Sequence, residues 1–125
     1  MILDTNALSA WLDGNRDIER RLEEAQRISL SPIALGEFRF GILGSRYRDD
    51  YERRLRLIEQ EFPPLSINGV TAAQYAMLRR ELALRGRPIP WHDLWIAAQA
   101  RQHRLPVLSR DEHFDLVQGL HRISW

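Results

Sequence analysis

The sequence predicts an α/β fold around a short, mostly parallel central sheet. Short apolar runs alternate along the chain with longer stretches of helical period, the pattern of strands joined through helices. Leu105-Pro106-Val107-Leu108 is apolar throughout, as expected of a buried strand. The chain has 125 residues, 44% of them hydrophobic, which suffices for the core of one domain spanning 1–125.

Met1 to Leu3 forms the first strand. Asp4-Thr5-Asn6 is a capping or turning segment that leads into a helix over Ala7 to Leu12. Gly14-Asn15 breaks this helix, and Ile18, Leu22 and Ala25 then recur at helical spacing. Ile28-Ser29-Leu30 is a second short strand. Ser31 as N-cap and Pro32 at the first helical position open a helix whose Leu35, Phe38 and Ile42 share one face as far as Gly44.

Residues 46–62 form a charged amphipathic helix with Tyr51, Leu55, Ile58 and Phe62 on its apolar side, stopped by Pro63-Pro64. Leu65-Ser66-Ile67 is a third candidate strand. A helix follows over 71–84, then the loop 85–90, then a helix from Trp91 to His103. The strand ending at Leu108, a helical turn over 111–117 and a last strand over 121–124 complete the pattern.

Composition narrows the chemistry. There is no cysteine, which excludes a disulfide framework, a thiolate zinc site and a cysteine nucleophile. No lysine is present either, so a nucleotide-binding loop ending in Lys-Ser or Lys-Thr is excluded. A net charge of +1 leaves any nucleic-acid contact to local groups, and all 18 basic residues are arginines, whose planar forks suit phosphates and stacked bases. No apolar run is long enough to span a bilayer and no signal peptide opens the chain, so the expected location is the cytoplasm, with no membrane partner.

Four carboxylates stand out. Asp4 directly follows the first strand, and Asp111 lies three residues after the strand ending at Leu108. Ligands of open α/β sheets bind beyond the carboxyl ends of strands, so if these two strands are neighbours both acids meet in one crevice. Glu37 has Ile33, Ala34, Phe40 and Gly41 as helical neighbours, and Asp93 has Ile89, Ile96 and Ala97. An acid against an apolar flank is costly unless it is paired or holds metal.

An all-oxygen donor set suits Mg²⁺ or Mn²⁺ better than Zn²⁺, and such ions activate water and steady an in-line displacement at phosphorus. Three of the acids also have a purely structural explanation. Asp4 can cap a helix, Asp93 can oppose a helix dipole in a first turn, and Asp111 can belong to a capping box from Ser109 to Glu112. Glu37 in mid-helix has no such role, short of an ion pair to an arginine.

At these residues the chain resembles the PIN-domain family, and within it the VapC-type ribonuclease toxins of bacterial type II toxin–antitoxin pairs. The resemblance rests on Ile2-Leu3-Asp4-Thr5-Asn6, the segment from Ser31 to Gly41, the run Asp93-Leu94-Trp95-Ile96-Ala97-Ala98, and Leu108-Ser109-Arg110-Asp111-Glu112-His113-Phe114. It implies a PIN-like three-layer α/β/α sandwich. It implies that Asp4, Glu37, Asp93 and Asp111 are catalytic and bind Mg²⁺ or Mn²⁺, with Asn6 and Ser109 supporting them by hydrogen bonds. It implies an endoribonuclease acting on transfer or ribosomal RNA, a homodimer, and a VapB-type antitoxin whose peptide covers the site. The alternative within the fold is a scaffold that binds RNA or protein without cutting.

One departure is visible. Many relatives carry a further acid two residues after the position of Asp111, where this chain has His113; Asp115 is a candidate replacement, and a surface role for His113 is the alternative. His92 adjoins Asp93, but neighbours on a helix point about 100° apart, which argues against both reaching one ion. Arg85 and Arg87 are candidate RNA contacts in the loop before Asp93. Phe38, Phe40 and Tyr51 are candidate anchors of dimer or antitoxin surfaces, with core packing as the alternative. Trp11, Trp91, Trp95 and Trp125 are assigned to core, edge or interface. A haloacid-dehalogenase-type phosphatase is disfavoured, because its second acid would fall at Asn6.

Overall fold

In the computed structural model, which describes residues 1–125, three two-residue strands form one parallel sheet. Strand β1 is Ile2–Leu3, β2 Val107–Leu108 and β3 Arg122–Ile123, in the order β1-β2-β3. Ile2 pairs with Val107 and Leu3 with Leu108, while Val107 and Leu108 pair with Arg122 and Ile123. All four residues of β1 and β2 are fully buried, which is why both strands read as unbroken apolar runs.

Helices α1 (Thr5–Leu12), α2 (Arg16–Glu23), α3 (Pro32–Ile42), α4 (Arg48–Glu61), α5 (Gly69–Leu84) and α6 (Trp91–His103) fall where the periodicity places them, and Glu112–Leu116 is a 3₁₀ helix. The starts of α1, α2, α3 and α5 are set by side chains. The Asn15 carboxamide accepts from the amides of Asp17 and Ile18, and the Ser31 hydroxyl accepts from the Ile33 amide. Asn68 and Thr71 cap each other reciprocally, so α5 begins at Gly69, two residues ahead of expectation.

Two expected strands are not formed as such. Of Ile28-Ser29-Leu30 only Ser29 bridges Ile2: its amide donates to the Met1 carbonyl at 2.9 Å, and its carbonyl accepts from the Leu3 amide at 3.1 Å. The segment Leu65-Ser66-Ile67 is irregular and retains one backbone bond, from the Leu65 amide to the Leu30 carbonyl at 2.9 Å. Pro63 and Pro64 bring no amide donors, and Ser66 and Ile67 are exposed, so no buried face holds a register there.

One hydrophobic cluster of 25 buried residues joins the sheet to the helices. Helices α5 and α6 pack through Leu78, Leu82 and a stacked Tyr75–Trp95 pair, whose ring centroids are 4.1 Å apart. A buried polar link ties three segments together. The Ser31 hydroxyl meets Gln99 Oε1 at 2.6 Å, and the Gln99 amide donates to the Leu65 carbonyl at 3.0 Å. No helix is long and apolar enough to cross a membrane.

Candidate metal centre at the carboxyl edge of the sheet

Parallel pairing of β1 with β2 sets their carboxyl ends side by side, so Asp4 and Ser109, the residues that follow them, become neighbours. The Asp4 amide donates to the Leu108 carbonyl at 3.3 Å, continuing the ladder by one residue. Asp4 Oδ1 caps α1 by accepting from the Ala7 amide at 2.7 Å, and Oδ2 accepts from the Ser109 hydroxyl. The Ser109 oxygen in turn accepts from the Asp111 amide at 2.8 Å. One hydroxyl therefore fixes the first acid and the turn that carries the second.

Asp111 begins the 3₁₀ helix, its Oδ1 accepting from the His113 amide at 2.9 Å. The capping box expected from Ser109 to Glu112 is replaced by this arrangement, in which Ser109 holds the turn and Asp111 is the cap. Phe114, fully buried, anchors the same turn in the core. Asp93 arrives from the first turn of α6 and is itself buried. The His113 ring lies between the two acids, Nδ1 standing 3.2 Å from Asp93 Oδ2 and 3.0 Å from Asp111 Oδ1. Donor atoms of Asp93, Asp111 and His113 all lie within 4.8 Å of one another.

The electrostatics of this cluster favour a cation. Burial pushes the Asp4 carboxyl up from 3.8 to about 6, against the Ser109 and Ala7 hydrogen bonds that favour its charged form, and the Asp93 and Asp111 charges push the same way as burial. Asp93 is also raised, by burial first, opposed by its contact with His113 and reinforced by Asp111. At Asp4 the capping bond from Ala7 only partly offsets the loss of water, so the carboxyl stays raised. Crowded carboxylates that resist ionisation are what a divalent ion relieves, and oxygen donors with one imidazole and no thiolate fit a hard or borderline ion.

A family model described as the PIN domain matches residues 1–120. The chain belongs to the PIN-domain family. Ribonuclease VapC5 of Mycobacterium tuberculosis is 33% identical over 123 residues, covering 94% of this chain and 87% of that protein. Toxin FitB of Neisseria gonorrhoeae is 32% identical over 132 residues, covering 89% and 87%. Among solved structures, FitAcB from Neisseria gonorrhoeae superposes with a TM-score of 0.85 at 29% identity, covering 98% of this chain and 95% of that one. VapBC-1 from nontypeable Haemophilus influenzae gives 0.85 at 27% identity, covering 99% and 96%. The α/β/α layering expected of a PIN-like domain is thereby shown.

Within this PIN domain, Asp93 and Asp111 bring donor atoms together and both act on the buried Asp4 carboxyl, while Glu37 lines a groove that begins at Thr5, the residue after Asp4. Glu37 is half-buried and lines a groove of about 380 Å³ with Thr5, Ser9, Asp13 and Tyr51, on the α1 side of the cluster. It is not pressed into the core as its mid-helix position suggested. The core face of α3 is Ala34, Leu35, Phe38 and Ile42, and the arginine nearest in sequence, Arg39, forms ion pairs with Glu52 and Glu59 instead. Asn6 is exposed in the first turn of α1, whereas Ser109 is fully buried, donating to Asp4 and accepting from the Asp111 amide.

Asp115, the candidate replacement for a further acid, is engaged with an arginine. It forms a two-pronged pair with Arg122 at 2.8 and 2.7 Å, and that guanidinium also donates to the Ser109 carbonyl at 3.2 Å. His92 Nε2 is 3.8 Å from Asp93 Oδ1 and outside the donor cluster, as its helical angle predicts. Arg85 donates to the Leu116 carbonyl and so ties its loop to the 3₁₀ helix, while Arg87 is exposed. His113 is the residue that sequence reasoning undervalued. The available signal was its place two residues after a capping Asp111, where a side chain can fold back over the cap.

Proposed function

We propose that this PIN domain is a divalent-metal-dependent endoribonuclease of the VapC type, acting in the cytoplasm on structured RNA such as transfer or ribosomal RNA. The observation that carries the reading is the convergence of Asp93, Asp111 and buried Asp4 at the carboxyl edge of the sheet, in a chain 33% identical to a protein named ribonuclease VapC5. Asp4, Asp93 and Asp111 would hold Mg²⁺ or Mn²⁺, with Glu37 supplying a further carboxylate from the groove beside them.

A bound divalent ion would supply Lewis-acid stabilisation of the charge that develops at a phosphodiester. The chain's own residues set the conditions for that. Ser109 keeps Asp4 oriented and lowers the cost of its ionisation. The short strands and the buried Phe114 fix the spacing of Asp4 and Asp111, so little reorganisation accompanies reaction. Arg87, exposed in the loop that precedes Asp93 in the chain, with Arg85 two residues before it, offers fork-shaped contacts for the RNA backbone.

The antitoxin reading has its own support. Phe40, Leu43, Tyr47 and Leu57 are exposed on α3, α4 and the turn between them, large apolar side chains of the kind that partner proteins cover, and the related solved structures are of VapBC and FitAcB. A VapB-type antitoxin and a second copy of this chain are the partners we assign, with Phe40 as an anchor; Phe38 packs edge-on against Tyr51 inside the subunit.

Purified protein stripped with chelator and then given Mg²⁺ or Mn²⁺ tests the reading on total RNA with sequencing of the new ends. Defined cleavage that appears on metal addition and disappears in Asp4→Asn, Asp93→Asn and Glu37→Gln is the expected result. Cleavage that persists under chelation overturns the metal mechanism, and an absence of new ends with metal present leaves a binding scaffold.

A further inference from the structure

We propose that the His113 imidazole, through Nδ1, is a direct ligand of the divalent ion held by Asp93 and Asp111, and that it biases the site away from Mg²⁺ toward first-row transition ions such as Mn²⁺. The inference rests on the reading that these acids hold a divalent ion, and goes beyond it by assigning a nitrogen donor and a metal preference.

The geometry carries it. Around an octahedral ion with bonds of about 2.1 Å, adjacent donor atoms lie about 3.0 Å apart. His113 Nδ1 stands 3.0 Å from Asp111 Oδ1 and 3.2 Å from Asp93 Oδ2, the spacing of neighbouring donors in such a shell, and the donor atoms of all three residues lie within 4.8 Å of one another. The ring is held there by the backbone, because the His113 amide is bound to Asp111 and the next residue, Phe114, is locked in the core. Asp115, the other candidate for this place, is engaged with Arg122. Imidazole favours later first-row ions, whereas Mg²⁺ takes oxygen donors and sheds water reluctantly.

The test is electron spin-echo modulation of the full chain loaded with Mn²⁺, with and without ¹⁵N-labelled histidine. The expected result is ¹⁴N modulation that becomes ¹⁵N modulation on labelling, is lost in His113→Gln and persists in His92→Gln. His113→Gln should also lower Mn²⁺ affinity about tenfold, relative to less than about threefold for Mg²⁺. Bound Mn²⁺ without histidine modulation, or modulation that survives His113→Gln, overturns the ligand assignment and leaves the carboxylate site standing. Failure of the wild-type chain to bind Mn²⁺ at all overturns both. The labelled wild type needs no substitution, and His113 is an exposed position on its turn, so misfolding does not blur the outcome.

Discussion

Replacing Asp4 by asparagine should make the metal-free protein more stable at neutral pH while abolishing its activity. The Asp4 carboxyl titrates near 6 in the folded chain against 3.8 when unperturbed, a difference of about two units, each worth about 1.4 kcal/mol. Because the folded value is the raised one, the native state keeps a proton that the unfolded chain has lost between these limits. Stability therefore falls as pH rises from about 4 to about 6, and above that the buried charge costs about 3 kcal/mol. Asparagine removes this cost and can still cap α1, but it disturbs the Ser109 hydrogen bond, a loss of about 1 kcal/mol. The net gain is about 2 kcal/mol above pH 6, and at the acid end, where both side chains are neutral, the variant is about 1 kcal/mol less stable than wild type. Urea unfolding in chelator, from pH 4.5 to 8, measures it. A variant no more stable than wild type at pH 7.5, or one whose advantage is equally large at the acid end, would refute the reasoning.

Other substitutions probe the parts that position the cluster. Ser109→Ala removes the donor to Asp4 and the acceptor for Asp111; the expected results are about 10- to 100-fold lower metal affinity by calorimetry and an acid limb of the pH–activity profile moved to higher pH, since the lost bond had favoured the charged carboxylate. Phe114→Ala empties a fully buried site and should cost about 3–5 kcal/mol in denaturant unfolding. Gln99→Ala strands the Ser31 hydroxyl and the Leu65 carbonyl, for a loss of about 2–4 kcal/mol in the same assay with metal affinity little changed, as the link is remote from the acids.

Much of this molecule can be read from its residues. The helices were legible because apolar side chains recur at helical spacing and because Ser31-Pro32 marks its start in the sequence. The meeting of Asp4 and Asp111 was conditional on one topological fact, that β1 and β2 are neighbours, and the structure supplies it. The strand at Leu65–Ile67 was misread because apolar content says nothing about a pairing partner, and two prolines with two exposed residues leave it unpaired. Glu37 was placed against the core because periodicity alone cannot locate the edge of a buried stripe to within one residue; Phe38 is inside it and Glu37 only half so. Asn6 and Ser109 look alike in sequence, but only Ser109 follows a buried strand directly. His113 was undervalued because its importance depends on a ring folding back over a cap, a contact that depends on the fold of the turn.

The most direct measurement is anomalous diffraction from a crystal soaked in Mn²⁺. Strong anomalous density within bonding distance of Asp93 and Asp111, beside Asp4, is the expected result. Density only at other surface carboxylates, with this cluster left without an ion at saturating Mn²⁺, would contradict the assignment of a metal centre at the carboxyl edge of the sheet.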